Sequence, residues 1–336
     1  MRRLQSNMQA AIYTQYGGPE VIQVKSLPIP IPKDNEVLIK VHTTSVNRTD
    51  CGFLRAHPFI VRFFSGLFRP KQQILGNEFA GEIVEVGKEV QSFKAGDKVF
   101  GMDGVSFGMH AQYICLAENA AIVHLPATIS LKEAGGICEG FFYALTDFNA
   151  IPHQPGNRIL INGATGAIGT AAVQIAKHYG LRITAVGNTK NINLVKSLGA
   201  ERVVDYLKED FTKVLSEPYD YIFDAVGKTT FGRCKHLLKP KGVFFATEFG
   251  PYLQNAFYAI WCSIFGKMPF QSGKKVLFPL PNDKKAREAV QFCQQLMEQG
   301  TLRSVVDKYY PLTDIQAAYR YVEKGEKTGS VVIEVS

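Results

Sequence analysis

The chain has 336 residues, enough for one large or two ordinary domains, and with 46% apolar and 20% charged residues it can bury full cores. Its net charge of +8 raises nucleic acid and acidic lipid as partners. The lysines and arginines are scattered, however, and no recognition-helix or RNA-binding signature appears. The charge therefore fits a basic soluble protein with an anionic cofactor and no nucleic-acid partner.

Cysteines 51, 115, 138, 234, 262 and 293 contain no C-x-x-C pair, so neither a zinc knuckle nor a disulfide framework is indicated, and a reducing cytoplasm suits them. The stretch from Met1 to Asn7 has two charges but no apolar core, unlike a secretory signal.

From Met8 to about Pro126 the chain is strand-rich. Gln9–Tyr13 and Ile22–Lys25 read as a first pair, and Glu36–Val41 alternates like a half-buried strand. Phe79–Val86 and Lys98–Gly101 follow, each bounded by glycine turns. Many short strands with Gly and Pro turns predict a small barrel. Between them, Phe59, Phe63, Phe64, Leu67 and Phe68 are spaced for a short helix with an aromatic face. That face packs into the barrel wall or covers a substrate pocket. Ser130–Leu145 reads as a connecting helix running past Gly135 and Gly136.

The organising stretch is Arg158–Lys177. It reads as a buried strand, a glycine turn and a helix of small residues. Gly163, Gly166 and Gly169 are spaced G-x-x-G-x-x-G, with Ala164, Thr165, Ala167 and Ile168 between them. Such glycines serve a tight turn, close approach of backbone to pyrophosphate, and packing of helix on strand, and the helix start offers free N–H groups to phosphate. Strands at Ile183–Val186, Arg202–Asp205, Tyr221–Gly227 and Gly242–Ala246, with a helix at Asn191–Leu198, predict a parallel doubly wound sheet. Gly163 and Val226 then lie at its carboxyl edge.

Cofactor choice is read after the second strand. An acid about 20 residues past the glycines would bind an NAD ribose. The window Gly187–Asn191 has none; Asn188, Thr189 and Lys190 suit a 2′-phosphate, which favours NADPH. Further on, Pro251–Phe270 is aromatic and apolar but broken, and too short for a convincing membrane span. It reads as a helix packed over a cleft or against a second subunit, with a membrane-surface contact as the alternative. Lys275–Pro281 reads as a last strand and Lys284–Gln299 as an amphipathic helix.

Several motifs occur in order: Gly17-Gly18-Pro19-Glu20, Asn47-Arg48-Thr49-Asp50, Gly76-Asn77-Glu78-Phe79-Ala80-Gly81, Gly96-Asp97-Lys98-Val99, Asn162–Gly169, Ser197-Leu198-Gly199-Ala200 with Val204-Asp205-Tyr206, and Pro311-Leu312 with Ala317-Ala318. Together they resemble a medium-chain dehydrogenase/reductase of the zinc-independent, quinone oxidoreductase-like branch. The resemblance implies an α/β fold: a GroES-like barrel catalytic domain (1–127 and 283–336) and an inserted Rossmann NADP-binding domain (128–282). It implies an active site in the cleft between them, a homodimer, and Tyr206 beside the 2′-phosphate.

Zinc alcohol dehydrogenases of this superfamily hold the metal with Cys, His and Cys. The matched positions here are Asn47, Asn77 and Cys138 or Glu139, and no cysteines follow Gly101 for a structural zinc loop. No metal is therefore expected. The chemistry expected instead is metal-independent hydride transfer from NADPH to a quinone or an α,β-unsaturated carbonyl. Asn47 and Asp50 are the catalytic candidates, with Asn47 or nearby backbone amides receiving the enolate oxygen; turn chemistry is the alternative role for both. Tyr143 or water supplies the proton, since Gly52 stands where relatives often place a tyrosine. A non-catalytic NADP-binding module, structural or RNA- or membrane-associated, is the other reading, and a zinc-type alcohol dehydrogenase a third.

Overall fold

The computed structural model describes residues 6–248, 250, 253–269 and 271–336. Most of the Met1–Asn7 segment, together with Pro251, Tyr252 and Phe270, lies outside the described residues. The chain divides into two compact units, Met1–Glu139 with Asp283–Ser336, and Gly140–Asn282.

The first unit opens with β1 (Asn7–Ile12) and β2 (Gln23–Pro28), an antiparallel pair. There follow β3 (Glu36–Val46), α1 (Arg48–Arg55), α2 (Val61–Ser65), β4 (Glu78–Val86), β5 (Lys98–Met102), β6 (Tyr113–Ala117), β7 (Ala121–His124) and α3 (Leu131–Ala134). β3 is the hub of the main sheet. It pairs with β4, with β6, and with a strand from the C-terminal end of the chain. Val37, Leu38 and Ile39 are consequently all buried. The expected half-buried alternation fails because both faces of a central strand are covered.

The expected helix from Ser130 to Leu145 is broken into α3 and α4 (Cys138–Asn149). A Cβ on Gly135 would stand 2.3 Å from Thr43 Oγ1, and one on Gly136 would stand 2.9 Å from Ser330 Cβ. The glycines let the chain touch the sheet, and Thr43 Oγ1 donates to Leu131 O at 2.6 Å. Residues 128–139 therefore pack with the first unit, and the second begins at Gly140 rather than at the expected 128.

The second unit holds β8 (Arg158–Asn162), α5 (Ala167–His178), β9 (Arg182–Gly187), α6 (Ile192–Leu198), β10 (Arg202–Asp205), α7 (Phe211–Val214), β11 (Tyr219–Asp224), α8 (Phe231–Cys234), β12 (Leu238–Ala246), α9 (Gln254–Phe265) and β13 (Lys275–Leu277). All six strands are parallel, in the order β10-β9-β8-β11-β12-β13. The order reverses between β8 and β11, which is the doubly wound arrangement with its switch point after β8. The core holds Leu160, Val186, Ile222, Phe244 and Val276. β13 stops at Leu277 because Pro279 and Pro281 lack the N–H a strand needs. Asn255 lies in the first turn of α9; it is fully buried, and its Nδ2 donates to Thr229 O at 3.2 Å.

The chain then returns to the first unit with α10 (Ala286–Glu298), β14 (Val306–Pro311), α11 (Ile315–Glu323) and β15 (Ser330–Glu334). β15 runs antiparallel to β3 and parallel to β14. Its Val331 and Ile333 join Val37, Ile39, Phe79 and Ile83 in the core. Among the described residues no helix is long and apolar enough to cross a membrane.

Candidate functional site

In the second unit the sharpest geometry is the turn after β8. Gly163 has φ +81°, and a Cβ there would lie 2.4 Å from Val226 Cγ1. Only glycine fits, both by backbone conformation and by space. A Cβ on Gly169 would lie 2.0 Å from Gly163 O, so the start of α5 rests directly on the turn. Gly166 differs: the nearest atom to its missing Cβ is 4.0 Å away, and no side chain caps the helix there. A side chain at Gly166 would thus enter open space, and the first N–H groups of α5 have no side-chain cap, a combination suited to an anion. Ala164 is fully buried and offers only backbone.

At the end of β9, Asn188 Oδ1 is buried without a hydrogen-bond partner. Lys190 and Tyr206 are exposed. Thr189 donates its hydroxyl hydrogen to Asp205, and that bond holds the Asp205 carboxyl below its ordinary range. Lys208 Nζ stands 3.8 Å from the same carboxylate. Asp205 ends β10, opposite Gly187 of β9. The neighbouring strand thus brings a carboxylate beside Thr189, whose hydroxyl hydrogen is engaged in that bond. Asn162 and Asp224 face each other across β8 and β11, with Nδ2 donating to Oδ1 at 3.0 Å. Burial lifts the Asp224 carboxyl to about 6, against donors that include Thr229 N at 3.1 Å.

The first unit holds a buried polar cluster. Glu78 Oε1 accepts from Ser45 Oγ and, at 2.9 Å, from Asn47 Nδ2; Oε2 accepts from Glu139 N at 3.0 Å. Asn47 Nδ2 also donates to Ser45 Oγ at 2.8 Å. Asp50 accepts from Asn47 N at 2.8 Å and from Gly76 N at 2.9 Å, tying the first turn of α1 to the approach to β4. Glu139 accepts from Thr49 and Asn77, while Asn77 Oδ1 has no partner.

Burial pushes Asp50 to about 7 and Glu139 to about 8, and it raises Glu78. Lys327 lies beside Glu139 and Glu78; burial lowers its ammonium, and its Nζ donates to Gly329 O at 2.6 Å. Burial also lowers His110 to about 4, so the ring is neutral; its Nε2–H donates to Ser45 O at 2.8 Å.

The geometry bears on the three catalytic candidates. Both amide hydrogens of Asn47 are engaged inside the cluster. Asp50 is fully buried and caps α1. Tyr143 lies on α4 in the second unit, half-buried. The cluster of Glu78, Glu139 and Lys327 was missed as a unit. Its one sequence signal is an acid at Glu78 directly before the apolar pair Phe79-Ala80.

Over 344 residues the chain is 30% identical to a chloroplast envelope quinone oxidoreductase homolog of Arabidopsis thaliana, covering 97% of this chain and 98% of that protein. It belongs to the quinone oxidoreductase-like branch of the medium-chain dehydrogenase/reductase superfamily.

Two family models agree with that placement: an alcohol dehydrogenase GroES-like domain at residues 33–127 and a zinc-binding dehydrogenase at 198–333. A 2-methylene-furan-3-one reductase of Solanum lycopersicum is 29% identical, over 98% of this chain and 79% of that one. The solved quinone oxidoreductase of Coxiella burnetii superposes with a TM-score of 0.84 at 26% identity, covering 98% of this chain and all of that chain. As a member of this branch, the chain is an oxidoreductase with a GroES-like unit and a Rossmann-like unit.

The description of the second model names zinc, which the donors here do not fit. Among the described residues no three His, Cys, Asp or Glu side chains are grouped to hold an ion. Asn47 turns its N–H groups inward, and both oxygens of Glu78 are already hydrogen-bonded. Amides are weak ligands for zinc beside thiolate and imidazole.

Proposed function

We propose that this quinone oxidoreductase-like chain uses NADPH to reduce a quinone or an α,β-unsaturated carbonyl without a metal. The observation that carries the reading is the start of α5: no side chain caps it, and a side chain at Gly166 would enter open space. The bound dihydronicotinamide supplies the hydride. Unit 140–282 is the nucleotide-binding domain, and the remainder is the catalytic domain.

Gly163 and Gly169 fix the turn, and the first N–H groups of α5 bind pyrophosphate. The unpartnered Oδ1 of Asn188 accepts from a ribose hydroxyl. Lys190 and Tyr206 flank the 2′-phosphate. Lys208 offsets part of the Asp205 charge, so that carboxylate does not by itself select NADH. Asn47 acts as a positioning residue that holds Ser45 and Glu78 rather than touching substrate. Backbone amides receive the developing enolate oxygen, and Tyr143 or water returns the proton. The names of the relatives, a quinone oxidoreductase homolog and a 2-methylene-furan-3-one reductase, support acceptors with electron-poor double bonds.

Isotope transfer tests the step. With NADPH deuterated on the transferred face of C4, an enone product carries deuterium at its β-carbon. An enone product without deuterium at its β-carbon, whichever face of C4 is labelled, contradicts the proposal.

A further inference from the structure

The segment between Asp50 and Glu78 contains no carboxylate, and it carries Arg55, Arg62, Arg69 and Lys71. Within it, Phe59, Ile60, Phe63, Phe64, Leu67 and Phe68 are 46–84% exposed. Of the two sequence readings of this aromatic face, packing into a barrel wall fails, because these side chains are exposed; the cover over a substrate pocket is the other.

The display is held in place rather than loose. Tyr16 OH donates to Gly66 O at 2.6 Å and lies 2.8 Å from Ser65 Oγ. Lys71 N donates to Ser65 O at 2.8 Å. Gly66 has φ +123°, and a Cβ there would stand 2.1 Å from Arg69 O. The Arg62 guanidinium sits 4.8 Å from the Tyr16 ring centroid and donates to Leu67 O at 3.1 Å. The anchored side of the segment is polar, and the outward side is apolar.

We infer that residues 59–71 are a membrane-surface contact, seated on a bilayer of anionic lipid. Exposed apolar patches of this density mark interaction sites on soluble folds. Aromatic side chains suit the headgroup boundary, and cations beside them suit acidic headgroups. Arg55 is matched by Glu323, but among the described residues Arg69 and Lys71 form no ion pair. A second copy of this chain would meet the same positive charge and be repelled by it; an anionic bilayer is complementary to both features.

The test is co-sedimentation of the full chain with phosphatidylcholine vesicles, with and without phosphatidylserine. Binding is expected to the anionic vesicles and to weaken as salt rises. Phe64→Ser with Phe68→Ser, and Arg69→Gln with Lys71→Gln, should each weaken it roughly tenfold. All four side chains are exposed, so both double variants should melt like the parent, which circular dichroism checks.

No binding to anionic vesicles overturns the inference. So does equal binding to neutral ones, or binding that neither variant changes. A fall from dimer to monomer in the phenylalanine variant with vesicle binding intact would assign the patch to a second copy, and would also overturn it. None of these readings depends on NADPH turnover, so this inference and the proposed reduction fail separately.

Discussion

Asn47 Nδ2 stands 2.9 Å from Glu78 Oε1 and 2.8 Å from Ser45 Oγ, which places the whole amide donor capacity of α1's first cap inside the protein. The buried carboxylate is therefore held by the residue that the family motif suggested for substrate. Asn47→Ala removes a donor from a buried acceptor, and the expected loss is about 1–3 kcal/mol of stability. Urea denaturation measures it. An unchanged unfolding midpoint with a collapsed kcat would instead make Asn47 a catalytic residue.

The glycine turn separates packing from binding. Gly169→Ala drives a Cβ to 2.0 Å from a backbone oxygen, so the turn must move. The expected destabilisation is about 1–3 kcal/mol or more. Gly166→Ala meets no atom nearer than 4.0 Å. It should cost about 1 kcal/mol through the cap and weaken NADPH binding roughly tenfold. Fluorescence titration beside a thermal melt distinguishes the two variants. Equal loss of stability in both would show that Gly166 is a packing glycine too.

Lys190 is exposed at the end of β9, and its charge is what the 2′-phosphate would use. Lys190→Ala should raise the KM for NADPH roughly tenfold, about 1.4 kcal/mol, and leave the KM for NADH within about twofold. Steady-state kinetics with both cofactors reads the difference. Parallel changes for the two would remove Lys190 from the phosphate site.

The legible parts of this chain were the local ones. The run Ile159-Leu160-Ile161, the three glycines and the later strands carry their period and punctuation in the sequence, and the parallel sheet follows from them. Contacts between distant positions were not legible. Thr189 meets Asp205 and Asn47 meets Glu78 only because neighbouring strands end side by side. A scan for an acid near Lys190 cannot see one on the next strand. The aromatic segment at 59–68 left two readings open for a related reason. Helical spacing shows that apolar side chains share a face, but not whether that face turns inward.

Stability should depend on pH through the buried acids. Asp50 and Glu139 keep their protons in the folded chain to about 7 and about 8, whereas ordinary carboxyls lose theirs near 4. Between those limits the folded state binds more protons than the unfolded one, so this contribution falls as pH rises. His110 acts oppositely, but only from about 4 to about 6.5. In Glu139→Gln the Glu139 part of the dependence disappears. Its melting temperature relative to the parent should therefore climb by a few degrees from about pH 5 to about pH 8. A constant difference across that range would mean that Glu139 is ionised in the folded chain.

The central claim is metal-free hydride delivery from NADPH to an electron-poor double bond. Its most direct test is NADPH oxidation by chelator-treated protein over a panel of quinones, enones and simple alcohols, with NADH and NADP+ run alongside. Turnover of quinones or enones is expected with NADPH, slower turnover with NADH, and no alcohol oxidation. Tight NADPH binding with no turnover of any acceptor, or alcohol oxidation restored by added zinc, would contradict it.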